Sequence, residues 1–270
     1  MRRLVAMSAL AATLAGCATP PLRLSPVFAV GDVRTYRLTA RAHTVVDLPG
    51  TRQSETTELT ATSTIEVTAV NGDEATVRLT LTPLRLARAG TPVAPPPEQR
   101  AEVVVGPDGS LIRVVTVGGL PPSISGADVG DLTQLLSSPL PAHRVRLGDR
   151  WNSVTHPAEG ATEEPAHQQG RISGLRSVGG RDCVLIDLGT RRPLVRRRSI
   201  GGQPVQLAGT EFAQSRIAFS LRDGFAVEMT TEAEARFSVS TAAAAGGSVT
   251  IDTRSSLLLI SAKSGGQSAG

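Results

Sequence analysis

From Tyr36 the chain alternates between apolar and polar residues. Tyr36, Leu38, Ala40 and Ala42 face one way, and Arg37, Thr39, Arg41 and His43 face the other. A two-residue period marks a strand with one buried face. Leu59, Ala61, Ile65, Val67 and Ala69 repeat it against threonines and Glu66. Beyond Asn71-Gly72-Asp73, Ala75, Val77, Leu79 and Leu81 repeat it again. Opposed residues of a hairpin share a face. The pattern therefore predicts an odd loop, with Ala69 opposite Ala75.

Gln99–Val105 and Leu111–Val117 read as a hairpin around Pro107-Asp108-Gly109. A second series opens at Gly148-Asp149-Arg150-Trp151. Arg171–Val178 and Cys183–Leu188 pair across Gly179-Gly180. Arg216–Leu221 and Phe225–Val239 form the clearest hairpin, with Ile217, Phe219, Leu221, Phe225, Val227 and Met229 on one face. A three-residue loop, Arg222-Asp223-Gly224, places Leu221 opposite Phe225 and gives Gly224 a left-handed conformation. Val249, Ile251, Leu257 and Leu259 supply a last strand, and residues 263–270 read as a disordered tail.

One segment has helical spacing. Ser125 and Asp128 resemble a capping box, and Val129, Leu132, Leu135 and Leu136 form a stripe ended by Pro139 and Pro141. The fold class is therefore mainly β. A large antiparallel curved sheet, as half-barrel or sandwich, is joined by one short helix around 127–136. Val30-Gly31-Asp32 before Tyr36 and Leu147-Gly148-Asp149 before Trp151 suggest one domain over 27–262, built from related halves at 27–120 and 143–262.

The amino terminus carries a different signal. Arg2 and Arg3 precede a run from Leu4 to Ala15 that is apolar apart from Ser8 and Thr13. It is shorter than the roughly 20 residues needed to span a bilayer, and it has signal-peptide length. Leu14-Ala15-Gly16-Cys17 follows and resembles the lipobox of bacterial lipoproteins. The resemblance implies removal of residues 1–16 and acylation of Cys17. Two or three acyl chains anchor stably, at about 0.8 kcal/mol per buried methylene. Residues 17–26 would be the lipidated terminus and a short tether. Ala18, in place of an aspartate, implies the outer membrane where a cell has two. Gly148-Asp149-Arg150-Trp151 after Leu140-Pro141 resembles uncharacterised envelope lipoproteins. In outline the alternating strands resemble the half-barrel lipoprotein carriers of the bacterial envelope.

Composition narrows the chemistry. The formal charge of +4 is halved when Arg2 and Arg3 leave with the signal, so an acidic partner is not implied and nucleic acid is not expected. One tryptophan, one tyrosine and five phenylalanines are too few for the aromatic girdles of a membrane barrel. With Cys17 acylated, Cys183 has no disulfide partner, and it reads as a small buried hydrophobe. Arg191, Arg192, Arg196, Arg197 and Arg198 offer contact with anionic lipid heads or another polyanion, against the alternative of a solvated turn. His156, Glu159, Glu163, Glu164 and His167 lack metal-ligand geometry and read as an acidic loop. His43 and His143 have no local partner. No nucleophile elbow, phosphate loop or Cys-x-x-Cys is present, so neither an enzyme nor a cofactor is expected.

Two functions fit. The first is a non-catalytic envelope lipoprotein that holds a lipid or other apolar ligand on a curved sheet, with the 127–136 helix as a lid. The second is a structural or interaction lipoprotein with a filled sandwich core. A cavity above about 300 Å³ distinguishes the first.

Overall fold

Each period-two run becomes a strand in the computed structural model, which describes residues 20–118, 140–155, 165–200, 203–241 and 245–265. The strands are β1 (Val33–Leu48), β2 (Thr51–Asn71), β3 (Glu74–Arg88), β4 (Thr91–Val93), β5 (Gln99–Val105) and β6 (Leu111–Gly118). They continue as β7 (Arg150–Thr155), β8 (Ala166–Val178), β9 (Arg181–Ile200), β10 (Gln203–Ser220), β11 (Phe225–Thr241) and β12 (Ala245–Lys263). All belong to one antiparallel, open, curved sheet of 12 strands. Its order is β6-β5-β3-β2-β1-β12-β11-β10-β9-β8-β7, with β4 beside β3. No helix occurs among the described residues, and the expected helix at 127–136 lies outside them. Three prolines sit inside long strands, Pro83 in β3, Pro193 in β9 and Pro204 near the start of β10. Each lies beyond the last pair made with the strand on one side, Leu81–Gln99, Arg191–His167 and Val205–Thr241 respectively. Proline is tolerated in a sheet at such locally one-sided positions.

Both expected hairpin registers need correction. Val70, not Ala69, lies opposite Ala75, and Asn71 faces Glu74 across a two-residue turn. The odd residue is taken up at Thr68, a bulge, after which Val67 faces Val77 and Ile65 faces Leu79. Likewise Ser220, not Leu221, faces Phe225 across a four-residue loop, and a bulge at Val227 restores Ile217 opposite Met229. Val227 consequently leaves the main core and packs with Cys183 and Ala218 on the other face. A bulge resets register as effectively as a loop residue does.

The same bonds occur twice along the chain. Gly31 N–H donates to Val67 O, Val67 N–H to Asp32 O and Asp32 N–H to Ala29 O. Gly148 N–H donates to Ile172 O, Ile172 N–H to Asp149 O and Asp149 N–H to Arg146 O. Each aspartate also accepts from a backbone N–H three residues earlier, Ala29 at 3.2 Å and Arg146 at 2.8 Å. Both glycines are left-handed, with φ of 86° and 91°. Bulged Thr68 donates its hydroxyl to Thr76 O, and bulged Ser173 donates to Leu185 O. The row Val67-Val77-Val103-Val114 thus has a counterpart in Ile172-Ile186-Ile217-Met229. In this correspondence Trp151 matches Arg34 rather than Tyr36, because both stand two residues after the aspartate.

The main core joins β2, β3 and β5 to β8, β9 and β10, although these strands are far apart in the sheet. The sheet therefore curls over, and Val77 and Val103 meet Ile217 and Phe219 around a residual cavity of about 90 Å³. Residues within and just after the expected tether complete this end. Leu22 bridges to Val145, Leu24 is buried, and Val27 N–H donates to Gly224 O. Buried Arg34 lies between the Phe28 and Phe225 rings and donates to Val27 O and Asp32. The part of 17–26 from Leu22 onward is thus docked, not a free tether. The carboxyl end is corrected similarly. Lys263 pairs with Val33, and Gly265 N–H donates to Asp32.

Candidate functional site: the concave face

Register assigns the inner positions of the curved sheet row by row. The bulky row is Ala61, Leu38, Leu257, Met229, Ile217, Ile186 and Ile172, crossing from β2 to β8. Two residues further along, the next row is Leu59, Ala40, Ser255, Thr231, Ser215, Leu188 and Gly170, with smaller side chains on β1, β8, β10, β11 and β12 and a leucine at Leu59 and Leu188. The following row is also small, with Ala42, Thr253, Ala233, Ala213 and Thr190. Successive rows lie roughly 7 Å apart. Strand alternation places all of them on the face that Leu38, Ile217 and Met229 bury.

A groove of about 1080 Å³ runs over the first small row. Its walls are short runs centred on Ala40, Leu59, Leu188, Ser215, Thr231 and Ser255. The groove follows from residue size: alanine and serine on a curled sheet cannot reach across the space that leucine and isoleucine fill one row below. Ser215 and Thr231 pair their hydroxyls at 2.8 Å. The flanking charges Arg41–Glu58, Arg216–Asp187 and Arg254–Glu232 lie on alternate positions and pair across strands on the convex side.

Beyond the small rows lies an ion pair. Arg192 Nε is 2.9 Å from Glu211 Oε1, and Nη2 is 3.1 Å from Oε2. The Arg192 side chain is buried and that of Glu211 largely so, at 7% and 13% exposure. Farther along, Leu194, Phe237, Val239 and Val249 form a separate buried apolar cluster. The concave face therefore runs from apolar core through small residues and a fixed ion pair to a second apolar patch.

The edge strand β7 adds a second cavity of about 490 Å³, lined by Trp151 to Thr155 with Leu111, Leu140 and His143. Trp151 is held over Gly170, its partner in the ladder.

The residues singled out in the sequence fall in different places. Cys17, Val129, Leu132, Leu135 and Leu136 lie outside the described residues, as do His156, Glu159, Glu163 and Glu164. The arginine cluster is strand rather than turn, continuing β9 along β10. Arg191 is exposed and stacks on Phe212 at 5.5 Å, but Arg192 points inward to Glu211, so it is not a surface contact for a polyanion. Arg196, Arg197 and Arg198 extend the same strand. His167 is exposed on β8, and no group of three metal-ligating side chains occurs among the described residues. His43 Nδ1 meets the Thr56 hydroxyl at 3.1 Å. Cys183 is buried, and burial raises its thiol pKa, which suits a packing residue. The small inner rows were not recognised as a site. Part of their signal was present, since Leu38 gives way to Ala40, Ile217 to Ser215 and Leu257 to Ser255 at the same level.

No family model matches this chain, and no curated protein matches it. Among solved structures it is similar to lipovitellin, from a structure describing lipid–protein interactions, at 13% identity and a TM-score of 0.49. The match covers 90% of this chain, which spans only 26% of the lipovitellin chain. A second is the hypothetical lipoprotein YmcC from Escherichia coli (K12), at 10% identity and a TM-score of 0.19. That match covers 87% of this chain and 90% of the other.

Proposed function

We propose that this chain is a non-catalytic envelope lipoprotein, anchored through Cys17, whose curved sheet holds an acyl lipid in the concave groove. The observation that carries the reading is the groove of about 1080 Å³ over Ala40, Ser255, Thr231 and Ser215. Ligand pockets commonly occupy about 300–1,000 Å³. The groove lies one row above the buried apolar core, and Leu59, Leu188 and Ala40 on its walls offer an acyl chain methyl and methylene contacts. Small hydroxyls and alanines on the floor leave it room. The lipobox motif supports the anchor, and Ala18 supports an outer-membrane address. The docking of Leu22 and Leu24 keeps the free linker short, so the groove works close to its membrane.

The test is solvent extraction of the purified protein followed by lipid mass spectrometry. Wild type should release stoichiometric lipid. Thr231→Phe and Ser215→Phe, which fill the groove, should release much less while keeping the β-sheet circular dichroism. Equal lipid from all three proteins would refute the groove as the site.

A further inference from the structure

Four buried polar atoms on the inner face of β7 and β8 have no hydrogen-bond partner among the described residues. They are Trp151 Nε1, Ser153 Oγ, Thr155 Oγ1 and Gln168 Oε1. Trp151, Ser153 and Thr155 stand at two-residue spacing on one strand, and Gln168 faces Ser153 in the next. Trp151 is 7% exposed and belongs to the main core, which fixes this face as the inner one. All three β7 residues line the cavity of about 490 Å³, together with apolar Leu111 and Leu140. Unpaired buried polar groups are rare in folded proteins, because each forfeits its bonds to water. Three along one wall of a cavity, with Gln168 beside Ser153 on the next strand, make a row of unmet donors and acceptors roughly 13 Å long.

We propose that this row is the polar subsite of the lipid site, taking the uncharged ester and hydroxyl groups of a partially acylated glycerol. The inference rests on the carrier reading and adds the ligand's polar class. The chemistry of the row selects it. An indole N–H only donates, so it requires an acceptor such as an ester carbonyl. The Gln168 oxygen only accepts, so it requires a donor such as a free hydroxyl. Ser153 and Thr155 serve either way. A hydrocarbon meets neither need, and an ester without a free hydroxyl meets one. The row itself carries no formal charge. The carboxylate on the cavity rim, Asp108, already accepts from the Ser110 N–H and hydroxyl. An ionised head would therefore find no counter-charge in the row, the one basic side chain on the cavity among the described residues being His143, outside it. Gly170 of the groove wall lies against Trp151 of the row, so the two cavities are neighbours across the indole.

The experiment uses Trp151, the sole tryptophan, as the reporter. The full chain is held in amphipol and titrated with monooleoylglycerol, with oleate and with 1-octadecene. Monooleoylglycerol should shift the Trp151 emission and bind more tightly than the other two. Ser153→Ala, Thr155→Val and Gln168→Leu should each weaken it by about two- to tenfold, the value of one neutral hydrogen bond. Each variant should melt no lower than wild type, because each removes an unmet polar atom; a residue that merely supported the fold would lower it. If monooleoylglycerol binds but the three variants bind it unchanged, the subsite is refuted while the carrier reading stands. Preference for oleate or octadecene overturns the polar class. If none of the probes binds and extraction yields no lipid, both readings fail. Variants that melt higher without any change in binding would assign the row to water only and overturn the proposal.

Discussion

Trp151 lies against the bare α-carbon of Gly170, its partner across the β7–β8 ladder. A β-carbon built there would sit 2.1 Å from Cζ2 of the indole. The pair seals the edge of the core, since Trp151 is only 7% exposed. Gly170→Ala should expel the ring, move its emission to the red and cost about 1–3 kcal/mol, as overpacking does. Fluorescence and thermal melting check this together. An unchanged emission maximum and melting temperature would show that the indole is not seated there.

Tyr36, the sole tyrosine, donates its hydroxyl to Ala226 O at 3.0 Å across the core. Burial pushes its pKa up to about 12, partly opposed by the charges of Arg34 and Arg181. The unfolded tyrosine ionises near pH 10. Above that pH the unfolded chain loses a proton that the folded chain keeps, so stability falls as pH rises. The loss should run from about pH 10 to about pH 12 and total about 3 kcal/mol. Absorbance titration of the phenol and denaturant melts over that range measure it. Tyr36→Phe should flatten the decline. A phenol titrating near pH 10 in the folded protein would contradict it.

Glu211 places a carboxylate opposite a buried guanidinium on the concave face. Glu211→Ala should destabilise the protein by about 3–5 kcal/mol, since Arg192 stays charged where water is scarce. Arg192→Met combined with Glu211→Leu should cost less than the two single changes added. Urea melts of the four proteins decide it, and strict additivity would mean that the pair is not coupled.

Cys17→Ser should move the protein from the membrane to the soluble fraction and remove the mass of the acyl chains. Fractionation with intact-mass measurement checks both. Retention on the membrane at unchanged mass would rule out Cys17 as the anchor.

Much of the fold was legible because strand alternation is local. Leu38, Ile65, Val77 and Ile217 fall on the buried face that their spacing required. What alternation could not locate was the bulges. Thr68 and Val227 each absorb one residue without any local sequence mark, so the parity was right beyond each bulge and wrong beside it. The site was harder to see. Arg192 looked like part of a surface cluster because its partner Glu211 is a neighbour only through the β9–β10 register. Ala40, Thr231 and Ser215 become one floor only when four strands are laid side by side. Size, rather than polarity, makes them a site, and size alternation across strands is invisible in a single strand's pattern.

The central claim is that the concave groove holds a lipid not covalently attached to the chain. Native mass spectrometry of the protein taken from bacterial membranes tests it most directly, because covalent acyl chains on Cys17 and a bound lipid differ in whether they leave on activation. The account predicts a lipid-sized adduct on wild type, lost on collisional activation and absent from Thr231→Phe. A mass equal to the acylated chain alone, identical in wild type and variant, would contradict it.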